Sequence, residues 1–296
     1  MLLLGGAAAW RLATVVLLAA GVLGALVALR LARRPRLDAA RARMGLWGHV
    51  AELRDRVLWC AGAWLAATMG VFSFRLEARS RGYTLVPALH DNLAAQLYRV
   101  MADLLVPDGV RLVVLRPLDG FAAEFTIAMA VGFAVALPVF LWHASAFIGP
   151  ALKPRERRML RMALLPAVAL FLVGATFAGT VLAPILLESL YGYAEPLGAE
   201  PFLQVGELVS FTVTLALVFG LASLTPIAMA GLAAAGLVSW RGFLKGWRHA
   251  VVAIVFLCAL VTDGTLVTLA MVAAPIIGLY FLGVGLAAWT GRKTTA

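Results

Sequence analysis

Charged residues are scarce in this sequence, and their scarcity excludes most classes of soluble protein. Only 14% of the 296 residues are charged, whereas 63% are hydrophobic, and the mean hydropathy is +0.95. Soluble domains are about half apolar, so the composition indicates an integral membrane protein. The net charge of +10 does not predict nucleic-acid binding here, because the cations cluster in the links between apolar runs, where they set membrane topology.

Cysteine and histidine are also rare. The two cysteines, Cys60 and Cys258, both lie in apolar runs, which argues against a disulfide framework and predicts packed thiols. The four histidines never fall at a metal-ligand spacing, so we expect no metal site and no cofactor. The motifs H-E-x-x-H, G-x-S-x-G and G-x-x-x-x-G-K-[ST] are absent from the sequence. We therefore expect no catalytic residue and no enzyme activity.

Seven apolar runs dominate what the sequence does contain. At about 1.5 Å per helical residue, most of them can cross a bilayer core of about 30 Å. The runs predict spans at about 11–31, 57–74, 120–143, 159–183, 207–233, 249–262 and 265–289. The predicted fold class is therefore an all-α polytopic membrane protein. The run at 249–262 is short for a full crossing, which implies a locally thin bilayer or shelter by neighbouring helices.

Two amphipathic segments lie beside the second run. Apolar residues recur every three or four positions at 46–57, which predicts a short helix lying on the membrane surface ahead of the span. In the long link 75–118, a similar pattern at 86–104 predicts short helices, followed by an extended piece at 110–115.

Charge predicts the orientation of the chain. Most of the 25 lysine and arginine residues lie in alternate links, whereas the link at about 184–206 has neither residue and carries three glutamates. The positive-inside rule then places the amino terminus outside and the carboxyl terminus in the cytoplasm. It also places Glu52 and Glu156 on the same, cytoplasmic, side.

The first run, 11–31, is followed by its cations, whereas a signal peptide carries them ahead of a shorter apolar core. We interpret it as a retained extra span. The alternative is that Met44 is the true start. The predicted organisation is an extra transmembrane span with a basic linker at 1–45, a six-span membrane domain at 46–290 and a cytoplasmic tail at 291–296.

A lone carboxylate within a cationic cluster marks a candidate binding residue. Glu156 is surrounded by Lys153, Arg155, Arg157, Arg158 and Arg161. A carboxylate accepts the planar fork of a guanidinium bidentately, so two spaced acids can read two adjacent arginines where lysine fits poorly. The alternative is that Glu52 pairs with Arg56 one helical turn on and Glu156 with Lys153, each pair contributing at most about 0.5 kcal/mol.

Three segments of the chain resemble the twin-arginine protein translocase subunit TatC family. They are HVAELRDRV at 49–57, ALPVFLWHASAFIGPALKPRERR at 136–158, and Phe219-Gly220 with Pro226. The resemblance runs from about 46 to 289. It implies a six-helix, all-α receptor that binds the twin-arginine signal peptides of folded proteins at the cytoplasmic face of the cell membrane.

The same resemblance implies partners and site residues. The partners are single-span subunits of the TatA and TatB type, in a homo- or hetero-oligomer whose transport is driven by the proton-motive force. Glu52 and Glu156 match the two acids of the signal-binding patch. Leu53 and Arg54 lie in its first motif, and Phe147 matches the aromatic residue at the start of the loop.

Two departures from the family pattern predict a change in partner contact or in the transport step. Leu224 stands where the family usually has an intramembrane glutamate, and the T-P-x-D signature becomes Thr262-Asp263-Gly264-Thr265. Intramembrane ionisable groups are normally functional, so Leu224, Pro226, Asp263 and Thr265 are candidates for that role. The alternatives are a divergent paralogue that serves one substrate or none, and a secondary transporter, although the expected repeats and midplane charges are not found.

Overall fold

A computed structural model describes residues 46–79, 82–88, 90–151, 154–193, 201–262 and 265–292. Helices make up most of these residues, which confirms the predicted all-α membrane fold. The predicted extra span with its basic linker, residues 1–45, lies outside the described residues, as does Asp263.

The elements follow one another in a simple order. The helices are α1 (Leu46–Ser73), α2 (Leu93–Leu105), α3 (Asp119–Ile148), α4 (Pro154–Met162), α5 (Leu164–Phe177), α6 (Ala183–Tyr191), α7 (Val205–Ala222), α8 (Thr225–Ala234), α9 (Trp240–Lys245), α10 (Trp247–Val261) and α11 (Leu266–Arg292). The strands are β1 (Phe74–Arg79), β2 (Gly82–Pro87), β3 (Arg111–Val113) and β4 (Phe202–Gln204). A 3-10 turn covers Gly149–Ala151, and a π turn covers Ala178–Leu182.

Five helical segments of the described chain are long and apolar enough to cross a membrane. They are Trp47–Ser73, Asp119–Ile148, Glu156–Tyr191, Val205–Ala234 and Leu266–Thr290. Trp247–Leu260, in α10, is apolar but shorter. The six positions agree with the runs predicted from residue 57 onward, including the short one.

The first described helix corrects one prediction. The sequence predicted a surface helix at 46–57 and a separate span after it, but α1 is one continuous helix of 28 residues. No proline lies between 46 and 73, so nothing forces the helix to end where its charged first turns give way to the apolar part. The charged end and the apolar span therefore share one rigid axis.

Two of the other spans are interrupted where a proline follows. Ala163 separates α4 from α5, and residues 223–224 separate α7 from α8. Pro166 and Pro226 lie in the first turn of the helix after each break, where the backbone N–H groups have no intrahelical partner and a missing N–H costs little.

The link 75–118 contains a feature that the sequence analysis missed. Strands β1 and β2 form an antiparallel hairpin in which Phe74 lies opposite Pro87. Residue 86 therefore belongs to a strand, and the predicted helix begins only at Leu93. The extended piece predicted at 110–115 is confirmed as β3, which pairs in parallel with β4.

The chain forms two compact units. One holds the described residues up to Pro150 together with Leu187–Val213, and the other holds Ala151–Leu186 together with the described residues from Thr214 onward. In the first unit, buried residues of α1, α2, α3 and the start of α7 form a shared core. In the second, Met229 of α8 packs with Tyr280 and Val284 of α11.

Helices α1 and α3 approach each other closely at Gly132. A Cβ atom at this position would lie 2.8 Å from the backbone nitrogen of Thr68 and 2.9 Å from its Cα. Real Cβ atoms do not come so close to backbone atoms, so only glycine fits at this crossing. The crossing fixes how the amino end of α1 sits beside the carboxyl end of α3.

Candidate functional site

A largely buried ion pair lies near the amino end of α1. Nη2 and Nε of Arg56 lie 2.5 Å and 3.0 Å from Oε1 of Glu52, and the two side chains are 13% and 14% exposed. Glu52 therefore does pair with Arg56, one helical turn on. Its burial separates it from an exposed helix pair, because breaking a buried pair typically costs about 3–5 kcal/mol when one charge is left behind.

Arg56 also connects α1 to α3. Its Nη1 donates to the carbonyl oxygen of His143 and its Nη2 to that of Ala146, both at 3.3 Å. These carbonyls belong to the last two turns of α3, where the helix dipole is negative and favours a cation. The guanidinium therefore has acceptors on two helices.

Phe147 lies at the same end of the helix pair. Its ring stacks on the imidazole of His49, with centroids 4.4 Å apart and planes inclined by 20°. His49 lies in the first turn of α1, and Phe147 is the penultimate residue of α3. The structure thus brings Phe147 and the motif that holds Glu52 together, and it adds His49, which the sequence analysis had not singled out.

Leu53 and Arg54 lie on a different side of α1 from the buried pair. Leu53 is 44% exposed. The Arg54 side chain is 70% exposed and pairs with its neighbour Asp55 at 2.8 Å. Exposed pairs of this kind contribute about 0–1 kcal/mol, so Arg54 is held far less firmly than Arg56.

Glu156 belongs to the second unit. It is half-buried in the first turn of α4, where the positive end of the helix dipole favours a carboxylate. Arg158 and Arg161 on the same helix are exposed. Lys153, the alternative partner of Glu156, lies outside the described residues.

The partner and transport candidates lie at helix starts. Leu224 is the half-buried residue before α8, and Pro226 is fully buried in the first turn of that helix. Thr265 precedes α11, where its hydroxyl oxygen lies 2.6 Å from that of the buried Thr268. Thr265 therefore has the position of a helix cap. The described part of this segment gives it no other contact that would indicate a partner site.

A buried polar contact in the first unit involves Glu124, which none of the motifs includes. Asn92 is fully buried, caps α2 by accepting from the Ala95 N–H at 2.8 Å, and donates to Oε2 of Glu124 at 3.0 Å. The sequence signal for this contact was an asparagine directly before a helical pattern, since asparagine is a preferred cap residue.

The predicted thiols are confirmed, because Cys60 and Cys258 are both free and buried. No group of three or more His, Cys, Asp and Glu side chains is placed to hold a metal ion within the residues that the structure describes.

The comparisons with known proteins decide the family. Residues 48–275 match the family model described as Sec-independent protein translocase protein (TatC). This chain belongs to the TatC family. It is 38% identical over 250 residues to the TatC of Cenarchaeum symbiosum, covering 83% of this chain and 95% of that one. It is 31% identical over 257 residues to the TatC of Xylanimonas cellulosilytica, covering 86% and 87%.

A solved structure supports the same assignment. The crystal structure of a twin-arginine translocase receptor TatC is 27% identical to this chain, with a TM-score of 0.69, and the match covers 82% of this chain and 100% of that one. The predicted family and fold are thus confirmed. The chain is a multi-pass membrane protein and a component of the Sec-independent protein transport pathway. The family is one of transport proteins, which favours protein translocation over enzyme activity or small-solute transport.

Proposed function

We propose that this protein is the receptor subunit of a twin-arginine translocase, and that Glu52 and Glu156 accept the paired arginines of signal peptides at the cytoplasmic face. The observation that carries the proposal is the contact between Glu52 and Arg56. Glu52 binds a guanidinium at 2.5 Å in a largely buried position. A side chain that holds one guanidinium in this way has the chemistry to hold another.

The surroundings of Glu52 strengthen such a contact. Charge-assisted hydrogen bonds gain strength where water is partly excluded, and both members of the pair are less than one-sixth exposed. The stacked rings of His49 and Phe147 add a flat surface at the same end of the helix pair. Arginine can stack on such rings as well as bind a carboxylate, whereas lysine offers only a point charge.

The remaining family expectations form part of the same proposal. Single-span subunits of the TatA and TatB type associate with this chain in an oligomer, and the proton-motive force drives export of folded proteins. The carboxyl terminus and both acids lie on the cytoplasmic side, in line with the positive-inside rule. The presence of Leu224 in place of an acid favours a second candidate, a paralogue that serves one passenger or does not complete transport.

Site-specific crosslinking tests the receptor role. A signal peptide with a photoreactive residue beside its two arginines is added to membranes that contain the full chain. We expect Glu52→Gln and Glu156→Gln each to remove most of the crosslink, because amides lack the charge that a guanidinium requires. Asp55→Asn is the matched control, since this acid lies on α1 but is exposed and pairs only with Arg54 among the described contacts. Undiminished crosslinking in both glutamine variants would contradict the receptor assignment.

A further inference from the structure

Arg56 makes more hydrogen bonds within the described residues than Arg54, the other arginine of α1. The resemblance to the family assigns it no role. It makes four hydrogen bonds, two to Glu52 and one each to the carbonyl oxygens of His143 and Ala146. Arg54, two positions earlier, contacts only Asp55 among the described hydrogen bonds and is exposed. The two arginines of this motif therefore sit in opposite environments.

The Glu52–Arg56 pair raises a question of competition. A cation that approaches Glu52 meets a carboxylate that is already neutralised by two hydrogen bonds to Oε1. In a partly desolvated position, an incoming cation must replace these bonds with equally good ones, because a buried charge left without its partner is costly. An arriving guanidinium can reproduce the planar, forked contact that it displaces.

An arriving ammonium group cannot reproduce that contact. Lysine is a compact and strongly hydrated point charge, so it loses more hydration on entering the site and offers no planar fork. Replacing Arg56 by a lysine of the peptide would therefore lose more hydration and hydrogen-bond energy than the new contact with Glu52 supplies. A cation must therefore bind Glu52 more strongly when Arg56 is paired with it than it would have to if Glu52 had no internal partner.

The structure also shows where the displaced side chain can be held. The carbonyl oxygens of His143 and Ala146 already accept from Arg56, at the negative end of α3. Nδ1 of His143 is buried and has no hydrogen-bond partner among the described residues, and in the tautomer protonated at Nε2 it is able to accept a hydrogen bond. Arg56 can release Glu52 without becoming a buried charge that has lost all of its acceptors.

We infer that Arg56 is the specificity-determining residue of this site: an internal guanidinium that occupies Glu52 until the guanidinium of a signal peptide replaces it, and that thereby excludes lysine. The inference rests on the proposed receptor function and explains how that receptor would select arginine over lysine. It assigns discrimination between arginine and lysine to a competitor within the chain as well as to the carboxylate itself.

Peptide binding to the full chain in lipid nanodiscs tests the inference. Two labelled signal peptides are compared, one with its arginine pair and one with both arginines replaced by lysine. We expect Arg56→Gln to strengthen binding of the lysine peptide without weakening that of the arginine peptide, so that the ratio of the two affinities falls about tenfold, which is about 1.4 kcal/mol. Asp55→Asn, which removes an exposed charge on the same helix, is the matched control and should leave the ratio unchanged.

The results distinguish a role of Arg56 in specificity from a purely structural role. If Arg56 only supported the fold, Arg56→Gln would weaken both peptides in parallel with an unchanged ratio, and that outcome would overturn the inference. If this variant does not fold, Arg56→Lys replaces it in the experiment, and the affinity ratio should then fall about threefold. An unchanged ratio in Arg56→Lys would likewise overturn the inference. Glu52→Gln and Glu156→Gln distinguish the two proposals. Arginine-peptide binding that is undiminished in both variants removes the receptor function. Loss of that binding in these variants, with an affinity ratio that Arg56→Gln leaves unchanged, removes only the inference.

Discussion

Glu52 and Arg54 lie two positions apart on α1, yet one is largely buried and the other is exposed. At the scale of single residues, this difference decides which charges take part in the proposed site. The spacing of Glu52 and Arg56 could be predicted from the sequence, since residues one turn apart face each other on a helix. Their burial could not, because it depends on how α3 crosses α1.

Gly132 is the residue on which that crossing depends. We expect Gly132→Ala to lower the stability of the protein by about 1–3 kcal/mol, because the added methyl group would overlap backbone atoms of Thr68. Thermal unfolding in detergent, followed by circular dichroism, measures the effect. The altered crossing should also weaken binding of the arginine peptide, since Arg56 of α1 donates to the carbonyl oxygens of His143 and Ala146 in α3.

Gly62→Ala is the matched control for this substitution. Gly62 lies on α1, and a Cβ atom there would meet nothing within 4 Å. Alanine has a helix propensity about 0.5–1 kcal/mol better than that of glycine, so this variant should be no less stable than the parent protein. Equal losses of stability in both variants would contradict the close approach at Gly132.

At the scale of elements, hydropathy located the spans but not their internal structure. The six apolar runs from residue 57 onward are all helical, because a run of this length can satisfy its backbone in a membrane only as a helix. The hairpin of β1 and β2 was missed, since short strands leave a weak periodic signal that overlaps with that of a helix. The breaks before Pro166 and Pro226 had a usable signal, because proline lacks a backbone N–H and fits best in the first turn of a helix.

Leu224, the predicted departure from the family pattern, lies at the break between α7 and α8. Leu224 lies at the start of α8 and is half-buried. We expect Leu224→Glu to change co-purification with a single-span partner subunit more than it changes signal-peptide binding, because an ionisable group within a span gains most from a partner in the membrane.

Leu224→Gln is the control that separates charge from polarity. It introduces a polar side chain of nearly the same size as glutamate without a carboxylate. Association with the partner subunit should change in Leu224→Glu and stay as in the parent protein in Leu224→Gln. Equal changes in partner association and in peptide binding would remove the proposed separation of the two roles.

At the scale of the whole molecule, the membrane fold could be predicted from composition, and the family from the two motifs that contain Glu52 and Glu156. The match over residues 48–275 confirmed both. The division into two compact units could not be predicted, since it places Glu52 in one unit and Glu156 in the other although they share one predicted side of the membrane. Charge patterns report the side on which a residue lies, and they contain no information about packing between distant segments.

The most direct test of the receptor assignment measures the coupling between Glu52 and an arginine of the signal peptide. The affinities of the parent chain and Glu52→Gln are determined for a peptide with its arginine pair and for peptides in which one arginine is replaced by glutamine. If Glu52 binds that arginine, the two substitutions together weaken binding less than the sum of their separate effects, with a coupling energy of at least about 1.5 kcal/mol. Strictly additive effects for both arginines of the pair would contradict the assignment of Glu52 as their acceptor.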